Sequence, residues 1–589
     1  MIYLAAIFVY LFVLVGIGVY TSRRVKTESD FAVAGRSLSP WVMVCTMLAV
    51  WIGTGSIVGN AEETYRTGMA ALIIPAGTFF GMILLSFIAS RARNIEASSV
   101  PEIIGRRYGR AARLLSVVAL VTAYMVIVSY QFNAGGAVLE VIAGDKEPVL
   151  LSLNNTLTPR QLAKGRMVYS PPQDWTGTVQ LAVVSTQASG QPIPYTIHVV
   201  EDNTTAAVAD KNTLTILKNR HAKIRYPIDD NNSDYCIAAG ADVGTLSLIE
   251  PRLEASHATI MAAIFILAYT MLAGLLSLAY TDIVTGILII GAMVAALPVL
   301  LYQAGGFSGM TEAFTAMHNK TRHMQFFGVY SPVQLVNYLL PVFLLILGDA
   351  NQYQRIFAGR NARSSRQAVT TMIFIAMAIE LLIITNAWIA ASMTPDPENG
   401  KYILIYAAKH YMPPILGVIF LVTVVGIIVS TANSFLLIPA ITFIKDVYQT
   451  HINPKATDRH VVFLNRVLIL VFGLIAYGVS LAFSESTGFF HKALYAYTIY
   501  GAAITPSLVA AIVWKRATRQ AAMASILAGI AIPLLWGEVI SPHLSGWLKE
   551  LDAVLPAIIV SVAALVGVSY LTQPSITQTQ SESKQPSVH

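Results

Sequence analysis

Residues 49–59 read AVWIGTGSIVG, three glycines crowded into the middle of an apolar run. A helix crossing hydrocarbon must satisfy its backbone internally, and glycine is a residue that weakens it. Gly53, Gly55 and Gly59 therefore invite the run to unwind. Unwound backbone persists at membrane depth only where it lines a cavity, and there its freed carbonyls can coordinate an ion. The competing reading is a packing face, because Gly55 and Gly59 stand four apart as small residues do at close helix contacts.

A second segment favours the first reading. Residues 330–351 carry Pro341 in mid-run and lead into GDANQYQR. Paired broken helices in corresponding positions of two halves point to an inverted-repeat transporter. Working outward, runs of about 20 apolar residues, the length that spans a bilayer core, fall near 2–22, 39–60, 70–90, 112–143, 257–275, 278–303, 330–351, 368–392, 412–444, 463–483, 489–514, 520–540 and 553–572. Numbered in order, they predict an all-α polytopic membrane protein of 13 transmembrane helices. The broken spans 2 and 7 each open a five-span unit, 2–6 and 7–11.

Composition agrees. At 55% hydrophobic and 12% charged residues, with a net charge of +7 over 589 residues, the chain is too apolar for an ordinary soluble protein. Its positive residues fall in short loops between spans and not in a nucleic-acid patch, so no nucleic-acid partner is expected. Arg23, Arg24, Lys26 and Arg36 follow span 1, Arg91 to Arg113 follow span 3, and Arg355 to Arg366 follow span 7. Lys445 to Arg466 follow span 9, and Lys515, Arg516 and Arg519 follow span 11. Odd spans thus exit into basic loops, which predicts a multi-pass protein of the plasma (inner) membrane, N-terminus outside and C-terminus cytoplasmic. The two cysteines exclude a disulfide framework.

The domain plan has spans 1–4 in residues 1–143, a polar insertion in 144–256, spans 5–13 in 257–572 and a disordered cytoplasmic tail in 573–589. Within the insertion, TVQLAVVS, PYTIHVV and TLTILK alternate like strands between turn-rich stretches such as SPPQDW and DDNNSD. A small extracytoplasmic β-sandwich of unknown partner is expected there.

Span 9 contains GIIVSTANSFLLIPA, in which Ser430 and Thr431 are adjacent hydroxyls and Ser434 lies one turn beyond Ser430. Such groups either bond back to the preceding turn or meet a cation stripped of water. The residues FAVAGRSLSPW, YTMLAGLLSLAYTDIVTG, NQYQRIFAGRNARSSRQA and VSTANSFLLIPAITFIKDVY together resemble the sodium/solute symporter family, over essentially all of the chain except the insertion.

The resemblance implies a LeuT-type 5+5 inverted repeat and Na+ as coupling ion. It also implies a sodium site built from the carbonyls of Ala49, Ile52 and Ile427 and the hydroxyls of Ser430 and Thr431. Asp282 matches a family aspartate linked to sodium passage toward the cytoplasm; alone it would read as a helix cap. The chain departs from the family where Ala273 and Gly274 replace a glycine pair. The positions that hold sugar in other members are here Ser56, Pro75, Ala376 and Thr498, which disfavours sugar.

Intramembrane carboxylates are functional hypotheses by default, so Asp349 and Glu380 join Ser56, Tyr497 and Thr498 as candidates for holding substrate. The structural alternative pairs each carboxylate with a tyrosine or with Asn386. Trp51, Tyr495 and Tyr500 are further aromatic candidates, whereas Glu62 and Glu63, at the outer end of span 2, are expected to be solvated. No GxxxxGKS/T or HExxH motif occurs, and an enzyme is not expected. The sequence points to a sodium-coupled symporter importing a small organic solute; the alternative is a transporter-like receptor or sensor using the insertion.

Overall fold

The computed structural model describes residues 2–22, 27–144, 146–152, 156–157, 166–185, 193–200, 213–217, 222–224, 235–239, 243–272, 274–317, 320–394, 400, 402–482 and 488–572. Arg23, Arg24, Lys26, Ala273 and the tail 573–589 lie outside them. Two compact units divide the chain, one of Gly136–Ile260 with Phe307–Thr321 and the other of Ile2–Gly135, Met261–Gly306 and Arg322–His589.

In the larger unit, local sequence sets where helices begin. Ser39 accepts from the Val42 N–H with Pro40 in the first turn, and Ser331 and Gln334 form a capping box ahead of Pro332. Asn361 caps the Ser364 N–H at 2.8 Å. Span 1 is Ile2–Ser22, span 4 Arg110–Ala143, span 5 Ala255–Leu272 and span 6 Leu275–Gln303. Span 8 is Ala362–Met393, span 9 Pro414–Phe443, span 10 Asp458–Ala482, span 11 Phe489–Val513 and span 13 Val554–Thr572.

Spans 2 and 7 are interrupted. Span 2 is Pro40–Trp51 followed, across a 55° bend, by Gly55–Ile73. Span 7 is Pro332–Gly348 followed by Ala350–Ala358, with Asp349 extended between them. Pro341, where the sequence suggested a break, sits inside the first of these helices. A proline removes one ladder bond and kinks a helix, whereas the break itself falls at Gly348 and Asp349.

Among the described residues, ten helices are long and apolar enough to cross a membrane, or eleven with the bent pair as one. Ala76–Asn94, which ends in Arg91 and Arg93, and the shorter Arg519–Leu535 are the other two expected spans. Residues 70–75, assigned by sequence to span 3, belong instead to the C-terminal end of span 2 and the turn after it.

Span 9 is predominantly apolar and almost wholly enclosed by protein, its polar Ser430, Thr431, Asn433 and Ser434 included. A helix of that character belongs at the centre of a bundle. It packs against the first half of span 2, Pro40–Trp51, and against span 6, and its hydroxyls Ser430, Thr431 and Ser434 are buried in protein.

Among the described residues the smaller unit carries nine strands: β1 Val149–Leu151, β2 Thr156–Leu157, β3 Arg166–Ser170, β4 Gly177–Ser185, β5 Ile193–Val200, β6 Thr213–Leu217, β7 Ala222–Ile224, β8 Tyr235–Ala239 and β9 Thr245–Ile249. They form two sheets, ordered β1-β9-β3-β7 and β2-β8-β4-β5-β6. Period-two alternation buries Val179, Leu181 and Val183 of β4 and Tyr195, Ile197 and Val199 of β5. These share one apolar cluster with Met167, Tyr169, Leu246 and Leu248 of the other sheet.

Candidate functional site

The break in span 2 follows from its glycines. A continuing helix would turn the Gly53 N–H onto the Ala49 carbonyl; instead it bonds Trp51 at 2.9 Å, and the Ser56 and Ile57 N–H groups both return to Gly53, at 3.1 and 2.9 Å. The Ala49 carbonyl, released from the ladder, accepts from the Thr431 hydroxyl of span 9 at 3.4 Å. Gly53 permits this approach. A Cβ there would lie 2.8 Å from Thr431 Cγ2 and 3.1 Å from Oγ1. Gly53→Ala is therefore expected to lower stability by about 1–3 kcal/mol through overpacking, read as a fall in melting temperature of the purified protein. A melting temperature equal to wild type would place span 2 farther from span 9 than described here.

Ile52 closes the first half of span 2, and Ile427 lies buried one turn before Thr431 on span 9. A helical carbonyl keeps a second lone pair free, so Ile427 can serve both its own ladder and an ion. Ser430 takes a different partner, donating to Asp282 Oδ1 at 2.5 Å.

Asp282 is no helix cap: it lies two turns inside span 6 and is fully buried. Its second oxygen accepts from Thr46 of span 2 and faces Arg355 Nη2 at 3.8 Å. Arg355, with no exposed surface, reaches Thr46 Oγ1 at 3.2 Å, the Asn351 carbonyl at 3.2 Å and Ser434 Oγ at 2.8 Å. One guanidinium thus ties together spans 2, 6, 7 and 9. The family segment NQYQR contains it, but its partner Asp282 is too distant in sequence for any spacing rule to reveal.

The break in span 7 is held by tyrosines. Asp349 Oδ1 accepts from Tyr124 at 2.6 Å and from the Asn351 N–H at 3.1 Å, capping the second half-helix. Tyr500 accepts from the Ala350 N–H at 3.0 Å and donates to the Gly348 carbonyl at 2.9 Å, replacing two ladder partners that the break removes. Tyr500 is thus a brace for span 7, and Tyr495 is partly exposed.

A narrow cavity lies between the two broken spans, lined by Trp51, Gly55, Ser56, Asn60, Ile74, Thr78, Val342, Glu380, Phe490, Ala493, Leu494 and Tyr497. Three of the candidate substrate residues, Ser56, Glu380 and Tyr497, converge there. The other two stand apart. Asp349 belongs to the span 7 break, and the Thr498 hydroxyl bonds back to the Leu494 carbonyl at 2.9 Å. Glu380 accepts from Trp51 Nε1 at 2.8 Å and Thr78 at 3.3 Å, while Asn386 donates to the Met293 carbonyl instead.

In the second half of span 2 the structure corrects the expectation of solvated carboxylates. Glu63 is 1% exposed, accepting from Tyr330 at 3.3 Å and Arg66 at 3.3 Å. Glu62 accepts from the Phe489 N–H at 2.8 Å, capping span 11 from another helix. Tyr330 and Phe489 are remote in sequence, which is why the solvated reading looked sufficient.

Comparison with known proteins follows the same outline. The chain is 27% identical to a sodium/proline symporter of Haemophilus influenzae over 54% of its length and 64% of that relative's. It is 25% identical to a high-affinity proline transporter of Bacillus subtilis, over 52% of this chain and 64% of the relative. The chain spans just under two thirds of the length of these curated relatives. A solved Na+-coupled sialic acid symporter superposes with a TM-score of 0.67 at 14% identity, covering 100% of this chain and 99% of that one, a likeness of fold. The model of the Sodium:solute symporter family matches residues 31–153 and 242–529, most of the chain and both broken spans, and skips the heart of the polar insertion. By that match, the chain belongs to the sodium:solute symporter family.

Proposed function

We propose that the chain is a sodium-coupled symporter that imports a small organic solute by alternating access. The observation that carries this reading is the approach of the Thr431 hydroxyl to the Ala49 carbonyl released by the span 2 break. Sodium coordinated there by Ala49, Ile52, Ile427, Ser430 and Thr431 would replace its lost water with protein oxygens, as carbonyls do for ions in selective pores. It would also fasten the first half of the broken helix to the central span. Sodium and solute then favour the same outward-facing arrangement, each raising the affinity of the other. Asp282, one hydrogen bond from Ser430, takes the ion onward to the cytoplasmic side. Two buried carboxylates, Asp282 and Asp349, stand against one buried guanidinium, an imbalance that a monovalent cation corrects.

In this reading the helices Ala76–Asn94 and Arg519–Leu535 complete 13 spans, arranged as repeats 2–6 and 7–11 with the N-terminus outside. The insertion 144–256 is an extracytoplasmic β-sandwich, supported by the single apolar cluster that its two sheets share. Vesicles holding the purified protein, given an inward sodium gradient and a pool of small metabolites, test the transport reading. Accumulation that collapses when the gradient is dissipated is expected, whereas binding without accumulation would mark a receptor.

The ends of the insertion are tied to one another. Lys146 N–H bonds the Glu250 carbonyl at 2.8 Å, Arg252 N–H bonds Gly144 at 2.9 Å, and the Lys146 and Glu250 side chains pair at 2.8 Å. Replacing residues 146–254 by a short Gly-Ser linker should therefore leave a protein that inserts in the membrane and elutes as a single detergent-solubilised peak. Aggregation of the deletion would show that the spans need the insertion to fold.

A further inference from the structure

Resting on the symporter reading, we propose that the solute held in the cavity between the broken spans is a small organic cation, an ammonium with no carboxylate of its own. Glu380 is 3% exposed, and both its donors, Trp51 Nε1 and Thr78, reach the same oxygen, Oε1. Its Oε2 takes no hydrogen bond among the described residues. The lining includes no Lys, Arg or His among the described residues. Lys492, two positions beyond Phe490, has its ammonium over the Phe489 ring at 5.6 Å and is not part of the wall.

A carboxylate buried without a counter-charge loses its water, and two hydrogen bonds to a single oxygen return only part of that loss. A ligand that brings the positive charge removes that penalty, and the walls suit it: Trp51, Phe490 and Tyr497 offer aromatic rings, whose faces attract ammonium groups. A zwitterion or an anion fares worse, because its own carboxylate would meet Glu380 with no basic side chain to receive it. A helix N-terminus could otherwise seat that carboxylate. In the outer half of span 2, however, the Ser56 and Ile57 N–H groups are already turned onto the Gly53 carbonyl.

Purified full-length protein, melted at neutral pH, tests this with probes of one ring size: pyrrolidine as its cation, L-proline as the zwitterion and 2-pyrrolidone as the neutral form. Choline is added as a quaternary cation. In sodium chloride, pyrrolidinium or choline is expected to stabilise the protein at concentrations at least about tenfold below those at which L-proline or 2-pyrrolidone acts, the worth of one charged contact. Glu380→Gln should abolish that preference and Glu380→Asp should keep part of it, which separates loss of charge from loss of fold.

The inference is overturned if neither cation stabilises the wild type, if L-proline or 2-pyrrolidone matches the cations, or if Glu380→Gln binds the cations as the wild type does. Melting in sodium chloride against potassium chloride without solute reads the coupling ion separately. A missing sodium shift counts against sodium coupling alone, and a sodium shift with L-proline preferred counts against the cationic solute alone.

Discussion

Thr431→Ala is expected to raise the sodium concentration needed for half-maximal stabilisation of the protein by about 10- to 100-fold, the loss of one oxygen contact to a charged ligand. Thr431 Oγ1 donates at 3.4 Å to the carbonyl that the span 2 break sets free, so its removal is expected to subtract an ion ligand and leave the helix intact. Thr431→Ser, which keeps the oxygen, should stay close to wild type. Ser430→Ala should weaken sodium dependence in the same range and in addition strip Asp282 of its shortest span 9 contact. A sodium titration of melting temperature in potassium-balanced buffer measures all three variants. Equal midpoints for wild type and both alanine variants would remove these hydroxyls from the ion site.

Arg355→Met is expected to cost about 3–5 kcal/mol of stability, the usual consequence of leaving a buried charge without its partner. The guanidinium is wholly enclosed and serves four oxygens on three other spans and its own. Its removal leaves Asp282 with hydroxyl donors only. Adding Asp282→Asn to Arg355→Met should therefore recover part of the loss, because the orphaned charge is gone as well. Thermal melts of the two single variants and the double variant give the coupling between the residues. Strict additivity would mean that the 3.8 Å approach of Arg355 to Asp282 carries no interaction energy.

Legibility of this molecule in its sequence tracks the distance over which each interaction acts. The span 2 break was visible because Gly53 and Gly55 act on their own backbone, and the hydroxyls of Ser430 and Thr431 stood out against hydrocarbon. The strands TVQLAVVS, PYTIHVV and TLTILK, read from period-two alternation, coincide with β4, β5 and β6. Of the two signals read in span 7, Pro341 and GDANQYQR, the break falls in the second, at Gly348 and Asp349, while Pro341 stays inside a helix. What holds Asp349 extended is Tyr124 and Tyr500, which come from spans 4 and 11.

The same limit explains the remaining differences. Arg355, counted in the sequence among the basic residues of the loop after span 7, lies instead buried in the second half-helix of that span, because its partners Thr46, Asp282 and Ser434 come from three other spans. Glu63 read as solvated because Tyr330, which helps cover it, is 267 positions away. Thr498 and Glu380 were equal candidates in sequence. Only packing sends the Thr498 hydroxyl back into its own helix while Glu380 meets the cavity between spans 2 and 7.

Binding of radioactive sodium to the purified protein, read by scintillation proximity in the absence of solute, addresses the central claim most directly. Saturable binding to wild type, displaced by unlabelled sodium but not by potassium and lost in the Ser430→Ala, Thr431→Ala double variant, is the result expected from an ion site joining the broken span 2 to span 9. Wild-type binding retained in the double variant would contradict it.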